Sequence, residues 1–171
     1  MHYLAFGSNL HPLRLTERTP HARLIGTTRL DGYRLCFHKH SVDGSAKCNL
    51  TYTGSPVEAA FGAIYYLPES EVRILDEIEG VGRGYDKRQL SVIVNDESDF
   101  VFTYFASQTH LVYDLPPYDW YKGFVLSGAR YHRFPGDYIR RIDTVAAMQD
   151  NNYDRRARNE KLLSRLQVPQ Y

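Results

Sequence analysis

The sequence predicts an α+β fold with a mixed, barrel-like β-sheet, flanked by helices that are concentrated toward the C-terminus. Short aromatic and β-branched runs bounded by turn residues recur through the first part of the chain, and helical patterns dominate after the Pro-Pro pair at 116–117. A β-rich first part and an α-rich last part are typical of the α+β class. Because no internal repeat or long linker interrupts the 171 residues, we expect one domain over 1–171, with a C-terminal helical extension at about 150–171.

The individual elements follow from local patterns. Strands are predicted where apolar and aromatic residues lie between turn residues, at 3–6, 22–30, 33–38, 47–53, 58–67, 87–94 and 100–105. Helices are predicted where apolar positions recur at helical spacing or proline can open a first turn, at 12–19, 68–80, 118–132, 135–148 and 155–166. The dipeptide Asp31-Gly32 suits a hairpin turn, so we expect the two strands beside it to pair with each other.

The first strand runs directly into a tight turn at 7–10, with the sequence Gly-Ser-Asn-Leu. In such a turn Gly7 can adopt a positive φ, which would leave the backbone N–H groups of Ser8, Asn9 and Leu10 free to converge on one oxygen atom. The alternative is an ordinary strand-to-helix turn in which Ser8 or Asn9 only caps the next helix.

An acidic helix end at 75–81 is the second candidate for chemistry. Glu79 falls in the last predicted turn, where the helix dipole and the neighbouring Asp76 and Glu77 disfavour a charged carboxylate. Such a glutamate suits proton transfer near neutral pH, and the glycine-rich segment 80–85 would let a ligand approach. The alternative is a solvated acidic helix end, which is a common surface feature.

Composition and charge exclude several classes of protein. A net charge of +1 argues against a nucleic-acid partner, and without a long apolar run we expect no membrane association and a cytoplasmic location. The cysteines Cys36 and Cys48 are too few for a disulfide scaffold, so both are expected to be reduced and buried. His38 and His40 have no carboxylate at a matching spacing, so no metal site is expected.

Two stretches together resemble motifs of the γ-glutamylcyclotransferase family. Tyr3 to Leu10 resembles the family's Tyr-Gly-Ser-Asn-Leu motif, with Phe6 in place of tyrosine, and Leu75 to Val81 resembles its Asp-Glu-x-Glu-Gly segment. Lys122 to Ala129 is similar to a late helix of the family. The resemblance extends over the chain to about Met148 and implies the family's fold.

The resemblance also implies a reaction that needs no cofactor, of acyltransferase or lyase type, in glutathione metabolism. The α-amine of a small γ-glutamyl amide attacks its own side-chain carbonyl, which forms 5-oxoproline and releases an amino acid or amine. Glu79 would act as the general acid/base, because an α-amine with a pKa of about 8 is mostly protonated at neutral pH. The substrate-binding residues that the resemblance implies are Phe6, Gly7, Ser8, Asn9, Leu10, Tyr85 and Tyr121.

Several points stay open at this level. The substrate could be a γ-glutamyl amino acid, a γ-glutamylamine or a γ-glutamyl-protected intermediate, whereas glutathione is disfavoured because glutathione-specific relatives carry Gly-Ser-Leu where this chain has Gly-Ser-Asn. Arg83 could meet a substrate carboxylate or remain in solvent, and Tyr85 and Tyr121 could bind substrate or pack. A homodimer and a monomer are both open, and the alternative function is a non-catalytic binding or regulatory domain for γ-glutamyl-like ligands.

Overall fold

The computed structural model describes residues 1–166. Its strands are β1 (His2–Ala5), β2 (Arg23–Asp31), β3 (Tyr33–His40), β4 (Ala46–Tyr52), β5 (Ala59–Tyr66), β6 (Tyr85–Val94) and β7 (Glu97–Ala106). Its α-helices are α1 (Pro12–Thr16), α2 (Glu69–Glu79), α3 (Asp119–Tyr131), α4 (Gly136–Asp143) and α5 (Tyr153–Leu166), with a short 3₁₀ turn at Gln108–His110. No helix in this range is both long and apolar enough to cross a membrane.

The main sheet has five strands in the order β2-β5-β1-β7-β6, and only the β1–β7 pair is parallel. This confirms the predicted mixed α+β class. The predicted barrel-like closure is wrong, because no backbone ladder joins β2 to β6 within the described residues. The two edges come close at Gly26 through side-chain packing rather than backbone hydrogen bonds, since an added Cβ there would lie 2.8 Å from Val94 Cγ2.

The hairpin predicted at Asp31-Gly32 is also wrong. Strand β2 pairs with β5, whereas β3 leaves the main sheet and pairs with β4 in a separate two-stranded sheet. Gly32 does have a positive φ of 74°, and its N–H and C=O groups bond the backbone of Glu58 and Thr53. The Asp-Gly dipeptide therefore predicts the bend correctly. The choice of strand partner, in contrast, depends on residues distant in sequence.

Several element bounds differ from the predicted ones. Helix α1 ends at Thr16 rather than at 19, and α4 ends at Asp143 rather than at 148. Strands β6 and β7 extend further than predicted, because a two-residue turn joins them at Asn95 and Asp96, both with positive φ. Two positive φ angles at the tip of a hairpin match the right-handed twist of the strands on either side.

The helices after β7 cover the core. On α3 the side chains of Phe124, Val125 and Ala129 are fully buried. Helix α5 packs closely on α3 at Gly123. An added Cβ at that position would lie only 2.5 Å from Leu163 Cδ2. Much of the predicted extension 150–171 therefore lies against α3, while residues 167–171 fall outside the described residues. The single-domain interpretation of 1–171 stays a prediction.

The order of strands determines which residues meet. Strand β1 lies in the middle of the main sheet, so the 7–10 turn leaves from its centre. Strand β5 is a neighbour of β1 and leads into α2, which returns Glu79 to the same end of the sheet. Strand β4 and helix α3 lie opposite the turn and Glu79. The two elements are joined by a hydrogen bond from Cys48 N–H of β4 to Tyr121 Oη of α3, at 3.1 Å.

Candidate active site

The Gly7–Leu10 turn presents two free backbone donors rather than three. Leu10 N–H donates to Gly7 C=O at 3.1 Å, so it is not available to a ligand. The N–H groups of Ser8 and Asn9 find no acceptor among the described residues. Neither residue caps α1, since that role belongs to His11, whose Nδ1 accepts from Leu13 N–H. The turn can therefore offer two backbone donors to a ligand.

Gly7 is a glycine for a reason that the sequence did not predict. Its φ is not positive, so the expected left-handed conformation is wrong. A Cβ at this position would instead lie 3.0 Å from Cys48 Cβ and 3.4 Å from Cys48 Sγ. The absence of a side chain thus lets the turn approach β4 closely.

Leu10 fixes the position of the turn through its carbonyl group and its side chain. Its carbonyl oxygen accepts hydrogen bonds from Tyr65 Oη at 2.6 Å and from His132 Nε2 at 2.7 Å. The Leu10 side chain is completely buried, and Gly128 of α3 packs directly against it. Leu10 is therefore an anchor of the turn, and it is the one of the eight predicted site residues that does not line the cavity described below.

Glu79 is joined directly to the turn. Its Oε1 accepts from Asn9 Nδ2 at 3.0 Å and from Arg18 Nη1 at 2.9 Å, and Arg18 Nη1 also donates to Asn9 Oδ1 at 3.1 Å. The Glu79 side chain is 18% exposed, so it is not a freely solvated helix end. Gly80 in the left-handed conformation ends α2 immediately after it. Arg18 carries no sequence signal, because it lies between α1 and β2 outside any motif.

A small cavity of about 30 Å³ lies between the turn and Glu79, with room for about two water molecules. Seven of the eight predicted site residues line it: Phe6, Gly7, Ser8, Asn9, Glu79, Tyr85 and Tyr121. Tyr3, Cys48 and Tyr104 complete the lining. The structure thus brings together residues that are more than 110 positions apart in the chain. We call this space the inner cavity.

Two tyrosines of the inner cavity bracket the backbone of Cys48. Tyr85 Oη donates to Cys48 C=O at 2.6 Å, and Tyr121 Oη accepts from Cys48 N–H at 3.1 Å. Burial raises the pKa of both phenols well above the usual value, so both stay neutral. Because Tyr121 accepts from the backbone, it keeps its own proton for another acceptor, whereas the proton of Tyr85 is already engaged.

An outer cavity of about 370 Å³ continues from the inner one, and the two share Ser8, Glu79, Tyr85 and Tyr121. Four cationic side chains line it against two acidic ones: Arg18, Lys39, Lys47 and Arg83 against Glu77 and Glu79. This excess of positive charge suits a ligand that carries an anionic group. Within residues 1–166 the exposed side chain of Arg83 bonds only the Glu77 carbonyl, at 3.4 Å, so the structure leaves its two predicted alternatives open.

The remaining predictions from the sequence concern a metal site and the two cysteines. Among residues 1–166 no group of His, Cys, Asp and Glu side chains is arranged to hold a metal ion. His38 bonds the Asn49 side chain at 2.8 Å, away from both cavities. Both cysteines are free, and Cys48 is buried as predicted, but Cys36 is only partly buried.

Comparisons with known proteins point to one family. The model of the AIG2-like family matches residues 59–142. The bovine protein named γ-glutamylcyclotransferase is 26% identical over 158 residues, which cover 88% of this chain and 80% of that protein, and the human protein of the same name is 26% identical over 159 residues, with the same coverage. A solved structure of a γ-glutamyl cyclotransferase superposes with a TM-score of 0.81 at 22% identity, covering 96% of this chain and 98% of that one, which shows a shared fold. The solved structure shows the same fold, and the family model, which covers just under half of the chain, and the curated relatives support a γ-glutamylcyclotransferase-family assignment.

Proposed function

We propose that the protein is a γ-glutamyl cyclotransferase in which Glu79 is the general acid/base. The observation that carries the proposal is the direct hydrogen bond from Asn9 Nδ2 to Glu79 Oε1. It puts a carboxylate beside a turn whose Ser8 and Asn9 N–H groups have no acceptor within residues 1–166, in one cavity. The same site thus has a base for the amine and donors for an oxyanion.

The reaction forms one C–N bond and breaks another. The α-amine nitrogen of the γ-glutamyl group attacks the side-chain carbonyl carbon after Glu79 takes a proton from the ammonium group. The carbonyl oxygen becomes an oxyanion, which the N–H groups of Ser8 and Asn9 can stabilise, each such donor being worth about 2.7–4 kcal/mol in other enzymes. The amide C–N bond then breaks as the leaving nitrogen takes the proton from Glu79, and the ring nitrogen gives up its second proton to the regenerated carboxylate, which passes it to the released amine.

The partners of Glu79 leave one oxygen atom for the substrate. Asn9 and Arg18 both bond Oε1, whereas Oε2 accepts no hydrogen bond from the part of the chain that the structure describes. The two partners orient the carboxylate, so Oε2 can point toward the amine. Tyr121, whose phenolic proton meets no acceptor among the described residues, is a third donor that could meet the substrate.

The test is formation of 5-oxoproline from γ-glutamyl amino acids and γ-glutamylamines by wild type and by Glu79→Gln. The amide keeps the shape of the side chain but cannot take up the proton, so we expect a loss on the order of 10²-fold or more in kcat. Glu69→Gln is the matched control, because Glu69 is an exposed glutamate in the first turn of the same helix.

Three outcomes decide between the candidate functions. Product from wild type and Glu69→Gln, with almost none from Glu79→Gln, supports the proposal. Equal product from all three proteins would remove Glu79 from the mechanism. No product from any of them, with γ-glutamyl compounds raising the melting temperature, would favour a non-catalytic binding domain.

A further inference from the structure

Lys39 is a buried cation that faces the outer cavity. It lies near the end of β3, just after a register shift in the β3–β4 pairing between Phe37 and Lys39. The residue is only 7% exposed, yet it lines the outer cavity and is absent from the lining of the inner one. Its ammonium group lies 4.7 Å from the centre of the Tyr85 ring.

The glycine-rich loop makes the space for this ammonium group. Gly84 has a φ of 134°, and an added Cβ would lie 2.9 Å from both Cε and Nζ of Lys39. The same Cβ would lie 3.1 Å from His110 Cδ2. Any side chain at position 84 would therefore push Lys39 out of its place, which ties the loop next to Glu79 to the position of the cation.

Lys39 has no anionic partner among residues 1–166. Its ammonium group makes neither a hydrogen bond nor an ion pair with these residues. Its one polar interaction among them is the contact with the face of the Tyr85 ring. Lys47, in contrast, lies 2.6 Å from Asp43 Oδ2 and 2.9 Å from Ser45 Oγ.

Glu79 does not serve as this partner, because its carboxylate forms an ion pair with Arg18 and neither of its oxygen atoms lies within ion-pairing distance of the Lys39 ammonium group. An unpaired buried ammonium is costly unless something compensates it. Burial indeed lowers the pKa of Lys39, and the nearby Glu79 and Asp43 oppose that effect only in part.

We propose that Lys39 is an anion-binding subsite that selects substrates by a negative charge on their leaving group. The inference rests on the proposed function. The inner cavity has room for the oxygen atom of the reacting carbonyl beside the turn, so the amide would lie at Ser8 and Glu79, where the two cavities join, and the rest of the glutamyl head would lie at the entrance to the outer cavity. The leaving group would then extend into the outer cavity and bring a carboxylate to Lys39. γ-Glutamyl amino acids or peptides would therefore be preferred to γ-glutamylamines.

The experiment compares two substrates of the same shape and different charge, γ-glutamylalanine and γ-glutamylalaninamide. For wild type we expect a higher kcat/KM with the carboxylate, on the order of 10- to 100-fold, the range of one charged hydrogen bond. Lys39→Met keeps a side chain of similar length without the charge. It should lower kcat/KM for γ-glutamylalanine by that factor and change the neutral substrate by less than about 3-fold.

Two further variants complete the design. Lys161→Met, at an exposed lysine of α5, is the matched control and should leave both substrates unaffected. Lys39→Gln replaces Lys39→Met if the latter does not fold, and the charge preference of wild type can be measured without any variant.

The possible failures are distinguishable. If wild type forms 5-oxoproline from both substrates at equal rates, the subsite is refuted while the proposed function stands. An equal loss on both substrates in Lys39→Met also refutes it, because Lys39 would then act on the glutamyl head or on the fold. If wild type forms product from neither, the proposed function fails and the subsite fails with it.

Discussion

Replacing Gly128 by alanine should displace the Gly7–Leu10 turn from beneath. An added Cβ would lie 2.2 Å from Leu10 Cβ, 2.8 Å from His11 N and 3.0 Å from Leu10 C. These atoms belong to the backbone or are attached to it, so no rotamer change can relieve the contact. Overpacking of this kind costs about 1–3 kcal/mol, and we take the upper end because 2.2 Å is far below contact distance.

Alanine is also a better helix former than glycine, by about 1 kcal/mol, which offsets part of this cost. The net expectation is a loss of about 2 kcal/mol in the free energy of unfolding. For a chain of this size that corresponds to a fall of roughly 4–8 °C in melting temperature. Because the Leu10 carbonyl is fixed by Tyr65 and His132, the turn cannot move without loss of these bonds, so 5-oxoproline formation should fall as well.

Gly123→Ala is the matched control in the same helix. Its added Cβ would lie 2.5 Å from Leu163 Cδ2, but this is the end of a flexible side chain that can change rotamer. Both variants gain the same helix propensity, so their difference in urea and thermal unfolding isolates the effect of the rigid backbone contact. If Gly128→Ala is as stable as Gly123→Ala, or more stable, the reasoning about the turn is refuted.

Two further predictions concern ionisable groups outside the reaction. A hydrogen bond from Arg155 lowers the pKa of Asp150 to about 2, from its ordinary value of 3.8, although burial opposes this shift. Ionised Asp150 therefore stabilises the fold at pH values above its unfolded pKa, and this contribution is lost as the pH falls toward 2. The melting temperature of wild type minus that of Asp150→Asn should be constant above about pH 5 and shrink between about pH 4 and 2, whereas a constant difference throughout would contradict the ion pair. Burial raises the pKa of the Cys48 thiol to about 12, so iodoacetamide at pH 8 should leave Cys48 unmodified in the native protein and label it after denaturation. Peptide mapping by mass spectrometry measures this, and equal labelling in both states would show that the site opens.

Local sequence patterns predicted the elements that carry the candidate site. The aromatic run before Gly7 became β1, and the helix before Gly80 ended where a glycine can adopt the left-handed conformation. Both signals act within a few residues, so they can be recognised without the fold. The expectation that the 7–10 turn and Glu79 meet came from the family resemblance, since nothing local relates residues 70 positions apart.

Interactions between distant elements decided the rest. Arg18 and Lys39 lie outside every motif, and only the packing of α1, β3 and the glycine loop turns them toward Glu79 and the outer cavity. The N–H of Leu10 was an expected donor, but the turn consumes it internally. The sequence does not show whether a backbone N–H group is free or hydrogen-bonded, so this difference is visible only in the folded chain.

By itself, the sequence determined the mixed α+β class, the strand-turn-helix at the N-terminus and the helix end that carries Glu79. The tertiary structure decided that β3 leaves the main sheet at Gly32, that the sheet stays open and that Lys39 faces a cavity without an anionic partner among the described residues. The physical reason is the range of the forces involved. Backbone preferences and caps act over one or two turns of chain, whereas strand pairing, burial and charge balance depend on which distant surfaces come into contact.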